Sequence, residues 1–81
     1  MTPRLRRLSA RDVLRALGSF GFEVVSTRGS HAKMQRVTSD GSLQILTVPL
    51  HKELAPGTLR PIFRQAGRYI PADELRPFFL G

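Results

Sequence analysis

The chain contains no cysteine, which excludes disulfide bridges, thiolate nucleophiles and cysteine-bearing zinc sites together. A reducing compartment suits it, and the cytoplasm is the expected location. Nothing in it approaches the roughly 20 apolar residues of a membrane span, so no membrane partner is expected. The basic segment Met1 to Arg7 leads into Leu8-Ser9-Ala10-Arg11-Asp12 rather than an apolar run, and so does not read as a secretory signal. Repeats and long structureless stretches are also missing, which leaves residues 1–81 as one small domain. With 41% hydrophobic residues there is apolar material enough to fold. A domain of this size buries only about 60% of its unfolded surface, so stabilisation by a partner is expected to matter.

Acidic residues are the other scarcity. Six Asp and Glu stand against thirteen Lys and Arg, a formal net charge of +7. The excess is spread along the chain, with Arg4, Arg6 and Arg7 at the start and Arg60, Arg64 and Arg68 further on. That distribution belongs to a surface, not a tail. It points to nucleic acid first, with an acidic protein or an anionic membrane surface behind it, and no one amphipathic stretch carries the Lys and Arg excess of a membrane-lying helix.

Local patterns predict an α+β chain. Ser9 with Asp12 three residues on forms a capping box, and Ala10, Val13, Leu14 and Leu17 fall on one stripe of a helix ending near Ser19. Gly21 can take the left-handed conformation that follows such a helix. Phe22 to Thr27 reads as a strand with Phe22 and Val24 on one face. His31 to Val37 alternates, with Ala32 and Met34 inward and His31, Lys33 and Gln35 outward. The turn-rich Thr38-Ser39-Asp40-Gly41-Ser42 and a third strand, Leu43 to Val48, complete an antiparallel meander. Thr58 is expected to cap a second helix running to Gly67, with Pro61 in its first turn. A short terminal helix opens at Pro71-Ala72-Asp73-Glu74, its length limited by Pro77. Two amphipathic helices covering one face of a three-stranded sheet is the arrangement of double-stranded RNA-binding domains, a likeness of fold rather than of function.

The chemistry concentrates at Gly29-Ser30-His31. Histidine is the side chain whose ordinary titration lies nearest neutral pH. Gly29 opens the backbone to a phosphate, Ser30 and neighbouring amides can donate to oxygen, and Lys33 shares the strand face of His31. The cations Arg28, Lys33 and Arg36 disfavour a further positive charge on the ring, as a base requires. A lone imidazole among cations suits attack by an RNA 2′-hydroxyl on its own phosphate, in which the substrate supplies the nucleophile and neither metal nor cofactor takes part. His51, in the loop after Pro49, is a secondary candidate for the acid that protonates the leaving oxygen. A metal is not expected, since His31 and His51 lack a third ligand at recognisable spacing and Asp40 and Glu53 are isolated. Arg60 and Arg64, at i and i+4, are candidates to grip phosphates.

Three segments resemble one family in order and spacing: Gly29-Ser30-His31, then Thr47-Val48-Pro49-Leu50-His51, then Gly57-Thr58-Leu59-Arg60-Pro61-Ile62-Phe63-Arg64-Gln65-Ala66-Gly67. The chain is similar to the HicA toxins, the YcfA-like mRNA interferases of type II toxin-antitoxin systems, over most of Ser9 to Leu80. Pro61 stands where that family has a small polar residue. The resemblance implies a small domain like those that bind double-stranded RNA, cutting mRNA without a metal and with His31 as the catalytic histidine. It also implies a HicB-like antitoxin partner that covers the active surface. Gly29 and Ser30 match the motif, whereas Lys33 and Arg28 enter as supports on charge alone. A non-catalytic RNA-binding module and a small basic interaction protein are the alternatives.

Overall fold

A computed structural model describes residues 4–81. Residues 1–3, the start of the segment discounted as a secretory signal, lie outside the described residues. The elements are α1 (Ala10–Gly18), β1 (Glu23–Arg28), β2 (His31–Val37), β3 (Leu43–Pro49), α2 (Pro56–Ala66) and α3 (Ala72–Phe79).

The expected capping box opens α1. Ser9 Oγ accepts from the Asp12 amide at 3.1 Å, and Asp12 Oδ2 accepts from the Ser9 amide at 2.9 Å. These bonds stabilise the carboxylate and hold Asp12 below the usual carboxylate range. Ala10, Val13, Ala16 and Leu17 are buried along one face. Ser19 caps the end, and Gly21, at φ 95°, turns the chain toward the sheet.

The sheet has the antiparallel order β1-β2-β3. Its inner face buries Ala32, Met34, Leu46 and Val48 against the helices. Both α1 and α2 pack on β3, whereas β1 meets chiefly α1. Every residue of β1 is consequently exposed. Phe22 is buried just before the strand instead of within it, while Val24 stays 47% exposed. Val24 does share the inner face with Phe22, opposite buried Met34, but the helices cover that face too sparsely at the edge strand to bury it. At the other hairpin Gly41 takes φ 85°. Asp40 accepts from the Thr38 hydroxyl and from the Ser42 amide, which pulls its carboxyl down to about 2.

Both later helices differ from expectation at their prolines. Helix α2 begins at Pro56, not Thr58, and its N-cap is Ala55, whose carbonyl accepts from the amides of Thr58 and Leu59. Pro56 suits the first turn because its missing N–H would have no intrahelical partner. Pro61 then lies inside the helix, where it forfeits the bond to Gly57, an exposed residue. Pro77 likewise lies within α3 rather than limiting it, and the helix continues to Phe79. Burial outweighs the lost hydrogen bond in each: Leu59, Ile62 and Ala66 of α2 and Leu75 and Phe79 of α3 join the core. One fully buried Leu or Phe contributes roughly 1.5–3 kcal/mol.

One polar residue ties the layers together. Arg36 donates from Nε to Gln44 Oε1 at 2.8 Å and from its two terminal nitrogens to the carbonyls of Phe20 at 2.9 Å and Tyr69 at 3.0 Å. Its guanidinium carbon lies 4.8 Å from the centroid of the Phe22 ring. At the chain ends, the Arg6 amide donates to Phe79 and the Gly81 amide to Arg4. No helix among the described residues is long and apolar enough to cross a membrane.

Candidate functional site

Gly29 and Ser30 are the two-residue loop of the β1-β2 hairpin, closed by the pair Arg28 and His31. Gly29 has φ 57° while Ser30 keeps a negative φ, the pattern of a tight hairpin with glycine at its first central position. A Cβ on Gly29 would meet nothing within 4 Å. Backbone conformation, more than crowding, is what calls for glycine there.

The register passes from Val24 opposite Met34 to Ser26 opposite Lys33, leaving Val25 as a bulge. Without that extra residue Thr27 would face His31. With it, Arg28 does. On the other side His31 faces Pro49, and Lys33 faces Thr47. Directly opposed residues share a sheet face, so the face turned away from the helices carries Arg28, His31 and Pro49 as one row. Ser26, Lys33 and Thr47 form the next row, and Glu23, Gln35 and Ile45 the third.

Arg28, Gly29, Ser30, His31 and Lys33, each expected to contribute, are thus together at one end of the exposed face, and all five are exposed. Arg36 does not join them. Its position on β2 has the opposite parity to His31, and its guanidinium is engaged beneath the sheet. Carboxylates are largely committed elsewhere: Asp12 to its cap, Asp40 to its turn, Asp73 to Arg76 at 2.8 Å and Glu53 to Arg7 at 3.9 Å. Among the described residues, no ion pair neutralises Arg28 or Lys33. The result is an imidazole between a guanidinium and an ammonium on an open surface. Such a group can accept a proton from, or hold, an anionic ligand with several phosphates.

His51 approaches the same end of the sheet by a different route. The Leu50 amide donates to the Ser30 carbonyl at 2.6 Å, and the Ala10 amide donates to the His51 carbonyl at 3.0 Å. These bonds join the hairpin, the segment after β3 and the start of α1. The His51 side chain lines a cleft beside α1 with Arg11 and Lys52. Among the described residues no hydrogen bond links the two imidazoles. Arg60 and Arg64 are exposed on α2, in the helical layer away from this face.

Two features escaped the sequence reading. Ser26 and Thr47 flank Lys33 on the open face; the place of Ser26 depends on the Val25 bulge, of which alternation carries no signal. Val37, Leu43 and Ile45, exposed to 61%, 54% and 39%, form an apolar patch at the opposite end of that face. Here alternation does contain the signal, since all three share parity with the outward residues of their strands.

A family model described as the HicA toxin of bacterial toxin-antitoxin matches residues 10–67, from the first residue of α1 through the last of α2 and the glycine after it. No curated protein matches the chain.

Proposed function

Because the chain belongs to the HicA toxin family and is the toxin of a bacterial toxin-antitoxin pair, we propose that it is a metal-independent endoribonuclease acting on mRNA. His31 is the general base. It takes the proton of a ribose 2′-hydroxyl, the 2′-oxygen bonds to the adjacent phosphorus, and the bond from phosphorus to the 5′-oxygen breaks. That oxygen leaves with a proton from water or from His51, giving a 2′,3′-cyclic phosphate and a 5′-hydroxyl. Arg28, Lys33 and the amides at Gly29 and Ser30 counter the charge that grows on the phosphoryl oxygens. The reading treats residues 1–81 as one domain working in the cytoplasm, and draws support from the order of a helix, a three-stranded antiparallel sheet and a helix, the order expected of a domain like those that bind double-stranded RNA.

The observation that carries this reading is the row that sets Arg28 beside His31, with Lys33 in the next row of the same open face. The toxin implies an antitoxin. We take that partner to be HicB-like and to cover this face, where Val37, Leu43 and Ile45 offer it an apolar anchor. RNA cleavage in EDTA tests the assignment: the wild-type chain should cut, and His31→Ala should fall by about two orders of magnitude or more, the usual size of an acid-base contribution. Equal cutting by both removes His31 from the chemistry.

A second reading, RNA binding without cleavage, is favoured by one observation. Among the described residues no side chain hydrogen-bonds His31 to orient its ring. That reading expects intact RNA with both proteins, with weaker binding by His31→Ala.

A further inference from the structure

The cleft beside α1 has a composition that the cleavage reading leaves unused. About 500 Å³ in volume, it lies between the start of α1 and residues 50–52. Leu14 and Leu50 supply apolar surface, and Arg11, His51 and Lys52 line it as well. All three of these are exposed. The nearest carboxylate in sequence, Asp12, is held by the Ser9 amide, and Glu53 is paired with Arg7. Among the described residues neither Arg11 nor Lys52 has an ion-pair partner. An apolar floor with two free cations and an imidazole fits a nucleotide: the flat base and sugar cover the leucines while phosphates meet the cations.

Position decides which nucleotide. The Leu50 amide, on the cleft wall, is bonded to the Ser30 carbonyl next to His31, so the cleft lies on the α1 side of the same end of the sheet as the proposed scissile phosphate, one strand edge away from the face that carries His31. We propose that this cleft is a second nucleotide subsite, holding a residue of single-stranded RNA that neighbours the cleaved one, with Arg11 and Lys52 on its phosphates. The inference rests on the ribonuclease reading. An exposed histidine on an open face gives little grip, and a subsite to one side would hold the ribose in place over it.

Binding of a fluorescent 2′-O-methyl RNA oligonucleotide, which cannot be cut by its own 2′-oxygen, tests the subsite by anisotropy between about 50 and 200 mM salt. The proteins are the wild-type chain, the double variant Arg11→Ala/Lys52→Ala, and the control Arg68→Ala/Arg76→Ala, which removes equal charge from residues that line no part of the cleft. Two lost contacts to a single strand should make the slope of log K against log salt shallower by about 1.4. The cleft variant should also bind about tenfold or more weakly, and the control within about twofold of wild type. All three should melt alike, since both pairs of residues are exposed. If the cleft variant matches the control in affinity and slope, the subsite is wrong and the cleavage reading stands. If the cleft variant loses an acidic peptide instead of RNA, the subsite is likewise wrong. If the wild-type chain binds no RNA, both readings fall.

Discussion

Replacing Arg36 with methionine should destabilise the fold by about 3 kcal/mol while leaving the chemistry of the exposed face alone. The guanidinium makes three hydrogen bonds, to Gln44, the Phe20 carbonyl and the Tyr69 carbonyl. At roughly 1 kcal/mol net for each, these amount to about 3 kcal/mol. The contact with the Phe22 ring at 4.8 Å adds about 0.5–1 kcal/mol. Methionine retains much of the stem's packing, which offsets part of that sum. For a domain of this length 1 kcal/mol corresponds to about 4–8 °C in Tm, so a fall of about 12–24 °C is expected in a thermal melt followed by circular dichroism. Arg36→Lys should lose most of the same stability, because an ammonium cannot reach three acceptors in a fixed fork. RNA cleavage measured well below the lowered Tm should stay within about threefold of wild type, a rate ratio worth under 1 kcal/mol. A Tm loss under about 4 °C, equivalent to 1 kcal/mol or less, would refute the tie between layers. A large loss of cleavage by the folded variant would return Arg36 to the site.

Gly29→Ala should lower Tm by about 4–8 °C, reflecting roughly 1 kcal/mol for a left-handed non-glycine residue with no accompanying clash; an unchanged Tm would contradict the φ of 57°. Asp40 is held below its unfolded value of 3.8, at about 2, so its contribution is complete above about pH 4 and is lost as pH falls toward 2. Asp40→Asn should flatten Tm against pH across that interval, while the lowered Asp12 leaves some slope, and an unchanged slope counts against the turn. Lys33→Ala and Arg28→Ala should each slow RNA cleavage about tenfold or more, whereas Gln35→Ala, two rows from His31, should change it less than twofold; equal effects from all three would mean that the rows carry no chemistry.

Local signals were legible in the sequence. The bounds of β2 and its inward pair Ala32 and Met34 follow from alternation, and the Ser9 and Asp12 box follows from their spacing. Gly29-Ser30-His31 could be singled out because its residue types are unusual together at a break between strands. What escaped depends on partners distant in sequence. Alternation does not distinguish an edge strand from a covered one, so it missed that β1 is exposed throughout. The bulge at Val25, which decides that Arg28 rather than Thr27 faces His31, exists only in the pairing with β2. By local rules Pro61 reads as a first-turn residue and Pro77 as a limit to its helix, whereas both lie inside helices that the burial of neighbouring residues sustains. Arg36 lies near His31 in sequence, but strand parity sends it to the opposite face.

The central claim is that His31 acts on the ribose 2′-hydroxyl, and the ends of the cleaved RNA test it most directly. Digestion in EDTA followed by mass spectrometry of the fragments should show 2′,3′-cyclic phosphate and 5′-hydroxyl termini, and one 2′-deoxy substitution at the cut nucleotide should abolish that cut. Fragments bearing 5′-phosphate and 3′-hydroxyl ends, or undiminished cutting at the deoxy position, would contradict it, since water and not the ribose would then be the nucleophile.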